Sequence, residues 1–446
     1  MPGFNKPMRG KINELYNSVE NGDTTPYSKL DAKDDVEDTK PLDDTQLSSF
    51  SGAVLNTFNT MVGVGTLSLP FALRHGGWVT LALLFVVYIL GIQAARLIGI
   101  MMDEDSTLKS YPNIAEKAFG TKGKTLVAIV FSIELFCACG MFMVLAGDTL
   151  HSIFPHISQR TFVLGSSIVM IPTALTTRLD FLAYLSFIGM TSSTMLCMVI
   201  IYLGGLDAEG SGTKMGSYLN PQPTRMFTTF EEAPFSIGLC IVGFAGHAVF
   251  PTIKNSMRNK NLYGSMMITS FTLALLFYLT IAVLGYLMYG DFVEKEIDLN
   301  FRAESGHQNA KKITFATVAV SLTSWLVAIN PATKFGLCMN PVAQNLEQVF
   351  GVQDSQSKRL FLRITLSGLC LSMCILLPFF AKMASFIGAL CSSFSSVIFP
   401  FSAYYYLNYD KLNGCERFLN ISIALLGFVM MIVGLFGVFE SFNLSN

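Results

Sequence analysis

The sequence predicts an all-α membrane protein of about eleven transmembrane helices, built as an inverted five-helix repeat in which helices 1 and 6 are discontinuous. Three observations lead there. Of the 446 residues, 51% are hydrophobic and only 14% charged, where a soluble chain would hold about a quarter charged residues. The apolar runs repeatedly reach about 20 residues, the length a helix needs to cross a hydrocarbon layer about 30 Å thick. A glycine pair followed by proline recurs in two of those runs, in spans one and six. A barrel would instead show alternating segments of about 10 residues.

The expected spans lie near 51–73, 77–100, 124–147, 161–177, 181–203, 233–253, 263–289, 312–338, 361–380, 383–407 and 418–440. They divide the chain into a polar tail over 1–50, a first repeat over 51–203, a second over 233–407 and one extra helix over 418–440. Residues 51–446 thus form one transmembrane domain. The tail has few large apolar side chains and is expected to be disordered. Most of the 30 Lys and Arg fall in the tail and on the side it shares, which by the positive-inside rule places the N-terminus in the cytoplasm.

A net charge of -1 and no basic patch interleaved with aromatics argue against nucleic-acid binding. The nine cysteines fall mostly inside apolar runs without a CxxC pair, so they read as small apolar fillers rather than disulfide or zinc ligands. No Ser/His/Asp, Cys/His or metal-ligating constellation is visible, so neither an enzyme nor a bound cofactor or metal is expected.

The first interrupted run is Asn59-Thr60-Met61-Val62-Gly63-Val64-Gly65-Thr66-Leu67-Ser68-Leu69-Pro70, and the second is Gly243-Phe244-Ala245-Gly246-His247-Ala248-Val249-Phe250-Pro251. Glycine loosens a helix, while proline removes a donor and disfavours helix before it. Backbone groups freed in this way must line an enclosed cavity, because lipid offers them no partners. Paired discontinuous helices at corresponding positions of two repeats point to a transporter binding site. A zwitterionic amino acid suits it, carboxylate on freed N–H groups and ammonium on freed carbonyls. The candidate substrate-binding residues are Asn59, Gly63, Val64, Gly65, Thr66, Gly243, Phe244, Gly246 and His247. Close helix packing and simple kinking remain the alternative use of these glycines and prolines.

Polar residues in the spans add candidates for ion coupling. Glu134, mid-way along span three, reads either as a proton carrier or as a structural carboxyl. His247 can titrate, contact substrate, or satisfy carbonyls bared by the break. Thr323 and Ser324 can complete a sodium shell with first-helix carbonyls, or bond their own helix. Lys334 is expected near the end of span eight, snorkelling to the headgroups.

Asn59 through Ala72, Gly243 through Pro251, Asn330-Pro331-Ala332-Thr333-Lys334-Phe335 with Pro341-Val342-Ala343, Pro378-Phe379-Phe380, Gly388-Ala389-Leu390 and Pro400 resemble motifs of the amino acid/auxin permease family. Within it the resemblance is to the branch of vacuolar amino acid transporters and vesicular inhibitory amino acid transporters. It implies the amino acid-polyamine-cation transporter fold, eleven helices and amino acid transport driven mainly by a proton gradient. The expected partners are a neutral amino acid and the lipid bilayer. A vacuolar, lysosomal or other endomembrane location is favoured over the plasma membrane. Tyr27-Ser28-Lys29-Leu30 resembles a tyrosine-based sorting signal, and Asn443-Leu444-Ser445 is a glycosylation sequon. A non-transporting sensor of the same fold and a sodium-coupled symporter stay open as alternatives.

Overall fold

The computed structural model describes residues 47–175, 179–205, 216–303 and 313–443. The sorting motif, most of the expected tail and two residues of the sequon lie outside them. Among the described residues every regular element is helical, apart from one isolated bridge pairing Ser48 with Met257.

The first expected span is two helices, α1 (Phe50–Met61) and α2 (Leu69–Gly76), joined by a 3-10 turn over Val64–Ser68. The sixth is likewise two, α7 (Ala233–Gly243) and α8 (Phe250–Ser256). Between the two pairs run α3 (Val79–Glu104), α4 (Tyr111–Ile153), α5 (Gln159–Leu175) and α6 (Leu179–Gly204). After them come α9 (Tyr263–Tyr289), the short α10 (Ile297–Ala303), α11 (Ile313–Val349) and α12 (Gln356–Leu376). The tenth expected span comprises α13 (Phe380–Ile387), two π-helical turns over Gly388–Ser392 and Phe394–Ile398, and α14 (Phe399–Leu407); α15 (Gly414–Asn443) closes the chain.

Seven segments among the described residues are long and apolar enough to cross a bilayer, and the chain is a multi-pass membrane protein. Its surface supports this: Phe85 and Ile89 on α3 and Leu425 and Val429 on α15 turn outward, as side chains do when the solvent is hydrocarbon. The opposite face of α3, with Ala94, Ala95 and Ile98, is buried.

Two spans differ from their expected limits for identifiable reasons. α4 starts at Tyr111, where the Ser110 side chain caps the Asn113 N–H, and passes a kink at Gly120 with φ 68°, a conformation open to glycine at no steric cost. α11 continues through Pro331 and Pro341 to Val349, because membrane helices tolerate proline where neighbours take up the freed groups. That extension puts Lys334 in mid-helix, where it is 9% exposed, and the expected headgroup anchor is corrected to a buried cation. The nine cysteines are free, and five are buried.

Candidate functional site

Both breaks follow from local chemistry. α1 ends at Met61, Val62 turns extended, and Gly63 adopts φ -141°, ψ -148° before the 3-10 turn. In the second break Gly246 has φ 129°, where a side chain is strained, and a Cβ there would lie 3.1 Å from Thr60 Cγ2. Each new half-helix opens with proline in its first turn, Pro70 in α2 and Pro251 in α8. The missing N–H is harmless there, since first-turn donors have no intrahelical partner.

The breaks touch. A Cβ on Gly65 would stand 3.3 Å from Val242 Cγ1 and 3.8 Å from the Gly243 Cα, so glycine brings the two interrupted backbones side by side. Two of the bared carbonyls have buried donors. Tyr278 of α9 donates to the Gly243 carbonyl at 2.5 Å, and Lys334 of α11 donates to the Val62 carbonyl at 3.2 Å. An ammonium at the C-terminal end of α1 also matches the negative end of the helix dipole. Gly63 leaves room for it, because a Cβ there would be 3.2 Å from Lys334 Nζ.

Beside the first break lies a cavity of about 10 Å³ lined by Gly63, Thr66, Ser192, Ser193, Phe277 and Asn330, among others. Ser192 Oγ and Asn330 Oδ1 are buried there without a hydrogen-bond partner among the described residues. That volume suits one water and is far below the roughly 300 Å³ of a ligand cleft. The arrangement is therefore closed, and nothing larger than a water enters unless the surrounding helices part.

The sequence-derived candidates divide accordingly. Gly63 and Thr66 line the cavity, Gly65 and Gly243 form the contact between breaks, and Asn59 sits in the last turn of α1. Val64 opens the 3-10 turn, with its side chain outside the described set. Phe244 is 1% exposed, stacked on Phe271 at 5.7 Å and edge-on to Tyr278 at 5.0 Å, so it packs core rather than facing the cavity. His247 is fully buried and donates from Nε2 to the Gly91 carbonyl of α3 at 2.9 Å. It thus serves a carbonyl, but one on α3 rather than on its own break.

Glu134 is not among the residues lining this cavity. Its two oxygens accept from Ser392 Oγ at 2.6 Å and Ser395 Oγ at 3.1 Å, and the Tyr111 hydroxyl donates to the Ser395 carbonyl. The carboxyl joins α4 to the π-helical stretch of the tenth span. Ser324 donates to Val320 of its own helix at 2.9 Å. From α11 it is Val327 and Asn330, further along, that line the cavity. Sequence reasoning missed Tyr278 and the Ser392–Ser395 pair, named Asn330 only within a family motif, and read Lys334 as a headgroup anchor. Lys334 carried a signal of its own, a lone charge in an apolar run.

The family model described as "Transmembrane amino acid transporter protein" matches residues 46–440. The chain is 31% identical over 421 residues to the amino acid transporter AVT1J of Arabidopsis thaliana, covering 91% of this chain and 94% of that protein. To the vesicular GABA transporter of Caenorhabditis elegans it is 23% identical, over 97% of this chain and 88% of that one. In fold it is similar to MhsT in complex with L-phenylalanine, with a TM-score of 0.54, 11% identity and coverage of 86% of this chain and 99% of that one. Mhp1 in its inward-facing conformation is similar with a TM-score of 0.51, 12% identity and coverage of 90% of each chain.

Proposed function

The chain belongs to the transmembrane amino acid transporter family, and from that premise we propose that it is a proton-coupled secondary transporter of neutral amino acids working by alternating access. The observation that carries this reading is the contact of Gly65 with Val242 and Gly243. It joins two helix breaks at one depth and leaves polar backbone where a zwitterion can be held.

In this reading the chain crosses the membrane eleven times, as two inverted five-helix repeats and one extra helix, with a cytoplasmic N-terminus and an endomembrane location. Gly63, Val64, Gly65 and Thr66 offer backbone N–H groups to the substrate carboxylate. Gly243 and Gly246 offer backbone from the second break, Asn59 holds the end of α1, and Phe244 and His247 fix the second break against α9 and α3. Glu134 carries the coupling proton, because it is a buried carboxyl held by two hydroxyls on a segment of non-α geometry, and π-turns concentrate at functional places. Tyr278 and Lys334 hold the broken ends in the closed state. Thr323 and Ser324 remain the candidates for a sodium shell, a coupling that the test separates from the proton.

A substrate-competition panel run at two pH values, with and without sodium, tests the reading. Competition by neutral amino acids that strengthens with a proton gradient and ignores sodium is the expected result. Uptake that follows sodium and not pH would replace the proton by sodium.

A further inference from the structure

Far along the chain from Glu134's partners, three buried carboxyl groups are packed beside one partly exposed ammonium. Asp148 near the end of α4 is 6% exposed, Glu296 0% and Asp298 1%. Asp148 Oδ2 takes the Lys295 ammonium at 2.5 Å and Oδ1 takes Gln159 Nε2 at 2.6 Å. Asp298 accepts from Thr149 Oγ1 at 3.2 Å. Neither carboxylate oxygen of Glu296 meets a donor among the described residues, and the side chain it faces is the carboxyl of Asp148.

The Lys295 ammonium is bonded to Asp148, and no donor among the described residues reaches either Glu296 oxygen. An unpaired ion taken out of water is costly, and two facing carboxylates lower that cost by holding a proton between them. We propose that Asp148 and Glu296 share one proton, forming a proton-binding site separate from Glu134. The proton sits on a line joining an Asp148 oxygen and a Glu296 oxygen, and turns an acceptor-only contact into a hydrogen bond. Burial and the facing Asp148 push the Glu296 carboxyl well above the usual carboxylate range, in keeping with that geometry.

The charged groups around the pair are Lys295, Glu294, Asp291 and Asp298 on its own segment, with Asp148 and His151 from α4 and Arg74 from α2. Gln159 of α5 is neutral. A cavity of about 420 Å³ lined by Arg74, Asp148, His151, Asp291 and Lys295 reaches the Asp148 side of the pair.

The site is tied directly to the first broken helix. Ser68, which precedes α2, donates to the Lys295 carbonyl at 2.9 Å, and Arg74 within α2 donates to the Val293 carbonyl at 2.7 Å. The segment bearing Glu296 is thus fastened to the half-helix that follows the first break. Loss of the shared proton sets two carboxylates against each other and drives that segment, with α2, away from α4. This last step rests on the transport reading, in which α2 moves; the proton itself does not.

Infrared difference spectra of the purified full-length protein, recorded across pH, test the site. The wild type is expected to show the C=O stretch of a protonated buried carboxyl at neutral pH, titrating as pH rises. Glu296→Gln and Asp148→Asn are each expected to lose that component, and Glu134→Gln to keep it. No protonated-carboxyl band in the wild type, an unchanged band in Glu296→Gln, or its loss in Glu134→Gln would each overturn the proposal. The spectra need no substrate, so a protein that moved no amino acid would still report on the proton.

Discussion

The Tyr278 hydroxyl lies 2.5 Å from the carbonyl of Gly243, the last residue of α7, and both groups are buried. A carbonyl freed by a helix break in this setting has no water to turn to, and losing its donor costs about 1–3 kcal/mol. Tyr278→Phe is therefore expected to lower the thermal unfolding midpoint and to reduce uptake several-fold, measured on membranes with equal amounts of protein. Unchanged stability and uptake would show that the bond holds nothing.

Gly65→Val sets a branched side chain against Val242 Cγ1, already 3.3 Å from where a Cβ would stand. Overpacking of this kind costs about 1–3 kcal/mol, which leaves room for the protein to reach the membrane. Transport is expected to be lost with surface or organelle abundance retained, read by uptake and immunoblot together. Gly65→Ala, which asks for only a few tenths of an ångström, is expected to keep part of the activity.

Lys334 and Gly63 are expected to be coupled. The ammonium holds the Val62 carbonyl at 3.2 Å, and a Cβ on Gly63 would press on it at 3.2 Å. Lys334→Met and Gly63→Ala should each reduce uptake, and the double variant should lose less than the two losses combined, since neighbouring residues sharing one contact are not additive. Independent effects in the cycle would separate Lys334 from the break.

How much of this was legible beforehand depends on whether the signal was local. Glycine and proline act through their own backbone, so the breaks at Gly63 to Pro70 and Gly243 to Pro251 could be read directly. The ends of α9, Tyr263–Tyr289, coincide with the expected 263–289 because polar residues and Gly290 bound the apolar run. Partners distant in sequence could not be read: Tyr278 is 35 residues from Gly243 and Ser392 is 258 from Glu134. Periodicity says which face of α9 is buried, not which carbonyl its hydroxyl meets. Lys334 was misplaced because the expected span closes near 338, whereas the helix continues to Val349 and leaves the lysine in its middle.

Stability should also carry the mark of Glu296. Its folded-state carboxyl titrates above the ordinary value because it is buried and faces Asp148. The contribution of the retained proton is fully present below the ordinary carboxylate value and is lost as pH rises through the raised one. Unfolding midpoints measured from acid to alkaline pH should fall across that window in the wild type and fall less in Glu296→Gln.

Glu134→Gln keeps an oxygen for one serine hydroxyl but removes the titrating group from the Ser392 and Ser395 contacts. Exchange of internal for external amino acid is expected to survive, and accumulation driven by a pH gradient to fall to the equilibrium level. Gradient-driven accumulation at the wild-type level would take the proton away from Glu134.

Reconstitution into liposomes with an imposed pH gradient tests the central claim most directly. Radiolabelled neutral amino acids should accumulate in vesicles containing the protein, and collapse of the gradient by a protonophore should release them. Binding of an amino acid with no flux under any gradient would contradict the account and leave a receptor in place of a transporter.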